Sequence, residues 1–252
     1  METVMVGVLI PLLGTALGAA CVLFLHGEMG RGVRSILSGF AGGIMVAASV
    51  WSLLIPAIER SQFMGRLSFL PAASGLVCGV ALLILLDEMV SKLYAIGAER
   101  KSRSKMLFAV TLHNLPEGMA VGAIFAGALA GDASITMTAG MVLAIGVAVQ
   151  NVPEGAIVSM PLCSDGMGRG RALLAGVLSG VVEPLGAVIT VLAASVVVPL
   201  LPFLLGLAAG TMLYVAAEEL IPEVARSGHA RAGNIAFALG FTLMMALDVA
   251  LG

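Results

Sequence analysis

Two six-residue stretches, His113-Asn114-Leu115-Pro116-Glu117-Gly118 and Gln150-Asn151-Val152-Pro153-Glu154-Gly155, decide how this chain is read. They are near-copies of one another, and each sits inside a long apolar run where a carboxylate is costly. On an α-helix, side chains four apart stack on one face. His113 therefore lies over Glu117 and Gln150 over Glu154, with Asn114 and Asn151 on the adjacent edge. Pro116 has no amide hydrogen, so it frees the carbonyl of Leu112; Pro153 does the same for Val149. Each stretch offers a carboxylate, a second donor atom, an amide and a loosened helix. That inventory suits a divalent metal at membrane depth.

The surrounding composition is that of a membrane protein. The chain is 60% hydrophobic and 11% charged, where a soluble domain carries about 25% charged residues. Its 32 glycines include the pairs Gly14/Gly18, Gly39/Gly43, Gly75/Gly79, Gly118/Gly122, Gly176/Gly180 and Gly206/Gly210, the spacing of close helix packing. Cys21, Cys78 and Cys163 form no spaced pair, which argues against a disulfide framework or a zinc knuckle. No basic run is long enough to suggest a nucleic-acid partner. Glu2, with no Lys or Arg among the first ten residues, argues against a secretory signal and for a first span.

A hydrocarbon core of about 30 Å needs about 20 apolar residues per helix. Eight such runs are expected at 3–25, 34–58, 67–91, 104–130, 134–162, 170–197, 199–223 and 230–251. They consume the chain, which predicts a single transmembrane domain over 1–252. With the N-terminus outside, eleven of the 13 basic residues fall in inside loops: Arg31, Arg34, Lys92, Arg100, Lys101, Arg103, Lys105, Arg169, Arg171, Arg226 and Arg231. Only Arg60 and Arg66 fall outside. The asymmetry predicts eight spans with both termini outside. The second span ends in Leu53-Leu54-Ile55-Pro56 and the seventh in Glu219-Leu220-Ile221-Pro222. That echo fits an all-α fold with a 3+2+3 inverted repeat around the central fourth and fifth helices, an arrangement used by transporters.

The deep acids are Glu117, Glu154, Glu183, Glu218, Glu219 and Asp248, and no Lys or Arg lies at mid-span depth. Asp87, Glu88 and Glu223 lie near inside ends. The missing positive charge is supplied by protons or by a cation. His113 is the one histidine placed mid-span; His26 and His229 fall in or beside inside loops. With Glu117 one turn on, His113 reads as a ligand. Glu183, before Pro184, is open between a bond to a neighbouring helix and metal binding. Met45 on residue grounds reads as core packing, one of 15 methionines. Glu218 and Glu219, with Glu223 below them, are open between an inside exit path and a cap on the bundle. Imidazole with carboxylates and amides favours Zn²⁺, Fe²⁺, Mn²⁺ or Cd²⁺ over Cu⁺ or Ca²⁺.

The paired motifs resemble the signature of the ZIP (Zrt/Irt-like) metal transporters, and more narrowly their bacterial GufA-type branch. The resemblance covers the whole chain. It implies a multi-pass protein of the cell (plasma or inner) membrane, with two adjacent metal positions at mid-membrane. The first would use Met45, His113, Glu117, Gln150 and Glu154. The second would use Asn114, Glu117, Asn151, Glu154 and Glu183, with Glu117 and Glu154 bridging. Asn151 stands where the bacterial branch often has Asp, so a weaker second position is expected. The stretch from Ile96 to Lys105 lacks the histidine-rich loop of many eukaryotic members.

The expected function is transport of a divalent metal, zinc foremost, into the cytoplasm. The metal is cargo, no prosthetic group is expected, and the lipid bilayer is the surrounding partner. The family commonly forms homodimers, which the glycine-rich faces permit. The rivals are an intramembrane metal-dependent hydrolase, against which stands the lack of a His-Glu-x-x-His motif, and a cation channel.

Overall fold

The computed structural model describes residues 2–24, 29–94, 100–131 and 135–251. His26 and residues 96–99 lie outside them. Among the described residues the chain is helical throughout. Its helices are α1 (Glu2–Phe24), α2 (Arg31–Ala48), α3 (Ile55–Arg60), α4 (Leu70–Tyr94), α5 (Arg100–Leu129) and α6 (Met137–Ser164). They continue with α7 (Arg169–Gly180), α8 (Val182–Leu192), α9 (Ala194–Val197), α10 (Leu201–Val215), α11 (Ile221–Arg226) and α12 (Ala230–Leu251).

Among the described residues seven helical stretches are long and apolar enough to cross a membrane: Glu2–Phe24, Arg31–Arg60, Leu70–Lys92, Met137–Ser164, Arg169–Leu192, Leu201–Arg226 and Ala230–Leu251. Helix α5, at 30 residues, has the length but is not among them. It is the helix that carries His113, Asn114 and Glu117. Pro116 and Pro153 leave α5 and α6 unbroken. Pro184 acts differently: the sixth run divides at Val181 into α7 and α8, and Glu183 falls in the first turn of α8. The sixth run also ends early, at Leu192, with the short α9 before α10 starts at Leu201.

The helices pair in two groups. Helix α1 packs on α6 and α7, and α5 packs on α8; separately, α2 packs on α12 and α10 on α4. Helix α2 also touches α6 and α10 touches α5, so the groups meet along the centre. The predicted small-residue pairs are the contact points. A Cβ on Gly14 or Gly18 would strike the backbone of Ala148 or Val152 on α6. One on Gly39 or Gly43 would strike Gly233 or Phe237 on α12, and one on Gly206 or Gly210 would strike Ala72 or Leu76 on α4. In lipid, where tails are as apolar as leucine, this close approach is what holds helices together.

The stretches Arg31–Arg60 and Leu201–Arg226 share an internal design. Gly39-Phe40-Ala41-Gly42-Gly43-Ile44-Met45 matches Gly206-Leu207-Ala208-Ala209-Gly210-Thr211-Met212 in spacing. Each is followed by a π-helical turn, Ser49–Leu54 and Ala216–Leu220, and then by Ile-Pro at the start of α3 or α11. The Ile55 amide reaches the carbonyl of Val50 and the Ile221 amide that of Ala216. A proline clashes with the carbonyl four residues back, and widening the helix to a five-residue step relieves that clash. The first turn has six residues and the second five. That difference absorbs the one-residue offset between the two sequence copies.

Replacing Gly14 by alanine forces a methyl into the Ala148 carbonyl. Overpacking of this kind costs about 1–3 kcal/mol, so Gly14→Ala lowers the melting temperature in detergent. Gly30→Ala, which meets nothing within 4 Å, leaves it unchanged within error.

Candidate metal site

The two motif helices, α5 and α6, lie side by side, and their polar residues interlock across the gap. Gln150 Nε2 donates to Glu117 Oε1 at 2.7 Å. Gln150 thus bonds to the other motif's glutamate, though sequence spacing stacks it over Glu154. His113, Asn114, Glu117, Gln150, Asn151 and Glu183 are all buried, and Glu154 is half-buried.

A second knot forms where α1 and α8 approach. Glu183 accepts from both sides: Thr15 Oγ1 donates at 3.0 Å and Asn151 Nδ2 at 2.8 Å. Asn151 Nδ2 also reaches the Pro11 carbonyl at 3.3 Å, and Asn114 Nδ2 donates to the Ser179 carbonyl at 3.0 Å. The last residue of each motif makes this possible. A Cβ on Gly118 would strike the backbone of Glu183, and one on Gly155 the backbone of Thr15. The two glycines admit the two residues that then bond to each other.

What these bonds leave over defines the chemistry. Asn114 Oδ1, Glu117 Oε2, Gln150 Oε1, Asn151 Oδ1 and Glu154 Oε1 are buried oxygens with no hydrogen-bond donor. A buried acceptor without a partner costs about 1–3 kcal/mol, so each of these five oxygens on α5 and α6 favours a donor or a cation beside it. The nitrogens of Asn114, Asn151 and Gln150 are already engaged, which turns their oxygens free. Carboxylate and amide oxygens with one imidazole at hand suit a hard-to-borderline divalent cation. Among the described residues no three His, Cys, Asp or Glu side chains close on a single point. The unpartnered oxygens belong to a mixture of carboxylates and amides.

His113 contacts two acids from other helices. Its Nδ1 lies 3.3 Å from Glu219 Oε1 and its Nε2 3.5 Å from Asp87 Oδ1. Tyr214 fixes Asp87 by donating to its Oδ2 at 2.9 Å. A cavity of about 50 Å³ is lined by His113, Asn114, Glu117, Glu154 and Glu219 among others. Ile157 also lines it, and the same residue lines a larger cavity of about 260 Å³ with Arg34, Pro161, Ser164 and Asp165. The predicted exit residues divide: Glu219 reaches the site, Glu223 pairs with Arg34 at 2.9 Å, and Glu218 is exposed. Met45 is fully buried in the main apolar core on α2. Asp248 accepts from Ser52 Oγ at 2.7 Å, joining α12 to the first π-helical turn.

Sequence reading missed Thr15 as a partner of Glu183, and nothing distinguishes a threonine 168 positions away. Asp87 read as an acid near the inside end of the third span, and its contact with His113 depends on how α4 leans against α5.

Several apolar helices long enough to cross a membrane, packed around buried carboxylates and amides, make this a polytopic membrane protein. A family model described as ZIP Zinc transporter matches residues 99–248. The chain is similar to the zinc transporter ZIPB of Bordetella bronchiseptica, at 40% identity over 94% of this chain and 78% of that one. It is similar also to the zinc transporter GufA of Myxococcus xanthus, at 35% identity, and to the zinc transporter ZIP11 of Homo sapiens, at 34%, each over 94% of both chains. The chain belongs to the ZIP family, and it is a transporter rather than an enzyme.

Asn151 supplies a direct test of the second knot. Aspartate cannot donate to Glu183, so Asn151→Asp sets two carboxylates against each other and makes a cation their natural neutraliser. Metal analysis of purified Asn151→Asp should give more bound zinc per chain than the parent protein.

Proposed function

We propose that this protein carries Zn²⁺ across the cell membrane into the cytoplasm, with Cd²⁺, Fe²⁺ and Mn²⁺ as further candidate cargo. The observation that carries the reading is the set of orphaned oxygens on Asn114, Glu117, Gln150, Asn151 and Glu154. The names of the relatives favour zinc among the metals such a set accepts.

In this reading the chain is one transmembrane domain of eight spans with both termini outside, α5 being the eighth crossing helix. The distribution of basic residues supports that orientation. A 3+2+3 inverted repeat exchanges the first span with the sixth, the second with the seventh, the third with the eighth and the fourth with the fifth. The observed contacts obey that exchange: α1 on α6 becomes α8 on α5, and α2 on α12 becomes α10 on α4. The matching π-helical turns support it too.

The ion enters a first position made by His113, Glu117, Gln150 and Glu154, with the Met45 thioether as a further ligand when α2 shifts. Binding draws Glu117 off the Gln150 amide and His113 off Asp87 and Glu219. The second position, at Asn114, Asn151 and Glu183, is the weaker one, because Thr15 and Asn151 already satisfy both Glu183 oxygens. Alternating access follows from sliding the group α1, α5, α6, α7 and α8, which carries the site on α5, α6 and α8, against the group α2, α4, α10 and α12. Release runs past Glu219 toward Glu223. Proton binding to Glu117, Glu154 or His113 competes with the metal, so acidification weakens binding. Homodimers are proposed on family grounds and on the exposed apolar faces of α4 and α12.

The test is uptake into liposomes containing the purified chain and a zinc-sensing dye. Saturable Zn²⁺ uptake is expected, and Glu117→Ala abolishes it while the protein still folds and inserts. Failure to move any of the four metals would sink the reading, and flux that does not saturate would favour a channel.

A further inference from the structure

Arg34 lines the larger cavity and pairs with Glu223 at 2.9 Å, and the transport scheme above gives that pair no part. We propose that Arg34 is a tethered counter-cation that holds Glu223 between transport events and displaces the departing metal ion from it. The inference rests on the transport reading and assigns a positioning role to a residue outside the metal site.

The geometry has three parts. Glu219 and Glu223 are one helical turn apart on the same strand of chain, across the π-helical turn and the start of α11. Glu219 touches His113, so the site and Glu223 are joined by a single carboxylate step. Arg34 Nε lies 2.9 Å from Glu223 Oε1, and Arg34 also lines the 260 Å³ cavity, which shares the lining residue Ile157 with the site cavity. An ion leaving His113 and Glu219 therefore meets Glu223 with a guanidinium already on it.

The electrostatics give that guanidinium its use. A bare carboxylate at the end of the path would hold a divalent ion and slow its departure. An arginine on the same carboxylate competes for it without leaving the protein. Both groups are part-exposed, at 41% and 30%, so the pair is weak enough to open and re-form. Helices α2 and α11 pack together in the same helix group, so the pair stays assembled while the other group moves. The Ser227 hydroxyl bonds to Ser35 Oγ at 3.0 Å and Ser35 Oγ to the His229 carbonyl at 3.3 Å, which holds the start of α2 beside the turn after α11. Arg34 is thus kept in register with Glu223 by bonds that do not involve its own charge.

The experiment uses the full chain in liposomes with a zinc-sensing dye, comparing Arg34→Gln, Arg34→Lys, Glu223→Gln and the Arg34→Gln/Glu223→Gln double variant. Arg34→Gln is expected to slow uptake about fivefold, the scale of one part-exposed ion pair, and to make uptake more sensitive to zinc preloaded inside. Arg34→Lys keeps most of the rate. The double variant recovers toward the parent rate, because the carboxylate that trapped the ion is gone. If the double variant is as slow as Arg34→Gln, or if Arg34→Gln matches the parent rate, the proposal is overturned. A slow double variant with a lowered melting temperature identifies the pair as a strut between α2 and α11, which also overturns it. If the parent chain moves no metal, the transport reading itself falls, an outcome distinct from the others.

Discussion

The controlling constraint is the cost of placing carboxylates inside a membrane with no cationic side chain at the same depth. Glu117 and Glu183 meet neutral donors from Gln150, Thr15 and Asn151. Neutral donors satisfy lone pairs without cancelling charge, so the demand for a proton or a cation persists. The ion pairs seen among the described residues that involve Lys or Arg, Arg34 with Glu223 and Lys92 with Glu88, sit near helix ends. Separating fixed positive charge from the centre leaves the centre for a mobile one.

Small residues turn that demand into a defined site. Helix α5 comes within backbone contact of α8 at Gly118, and α6 comes within backbone contact of α1 at Gly155. Those approaches set Thr15 and Glu183 within hydrogen-bond reach of each other. The same glycines thus pack the helices and build the polar knot, so packing and chemistry cannot be separated by substitution at these positions. The prolines contribute less to helix shape than to availability. Neither Pro116 nor Pro153 breaks its helix, but each removes a backbone donor next to the site.

The backbone carries a recurring device. Two π-helical turns stand before two Ile-Pro pairs, and the second, Ala216–Leu220, carries Glu218 and Glu219. A widened turn is a soft point in a helix, and placing one beside Glu219 gives the residue next to His113 room to move relative to α10.

Much of this was legible in the chain. The apolar runs predicted the helices to within a few residues, because lipid thickness and hydropathy act locally along the sequence. The two motifs named His113, Asn114, Glu117, Gln150, Asn151 and Glu154, because a polar group in an apolar run is conspicuous wherever it later lies. The sequence by itself could not pair them. Spacing stacked Gln150 over Glu154, yet its amide crosses to Glu117; Glu183 was open between two roles, and its partners proved to be Thr15 and Asn151. Asp87 looked like an inside-end acid and reaches His113. Each of these contacts joins residues on different helices, and only the lean and spacing of whole helices, set by which small residues meet, brings them within bonding distance.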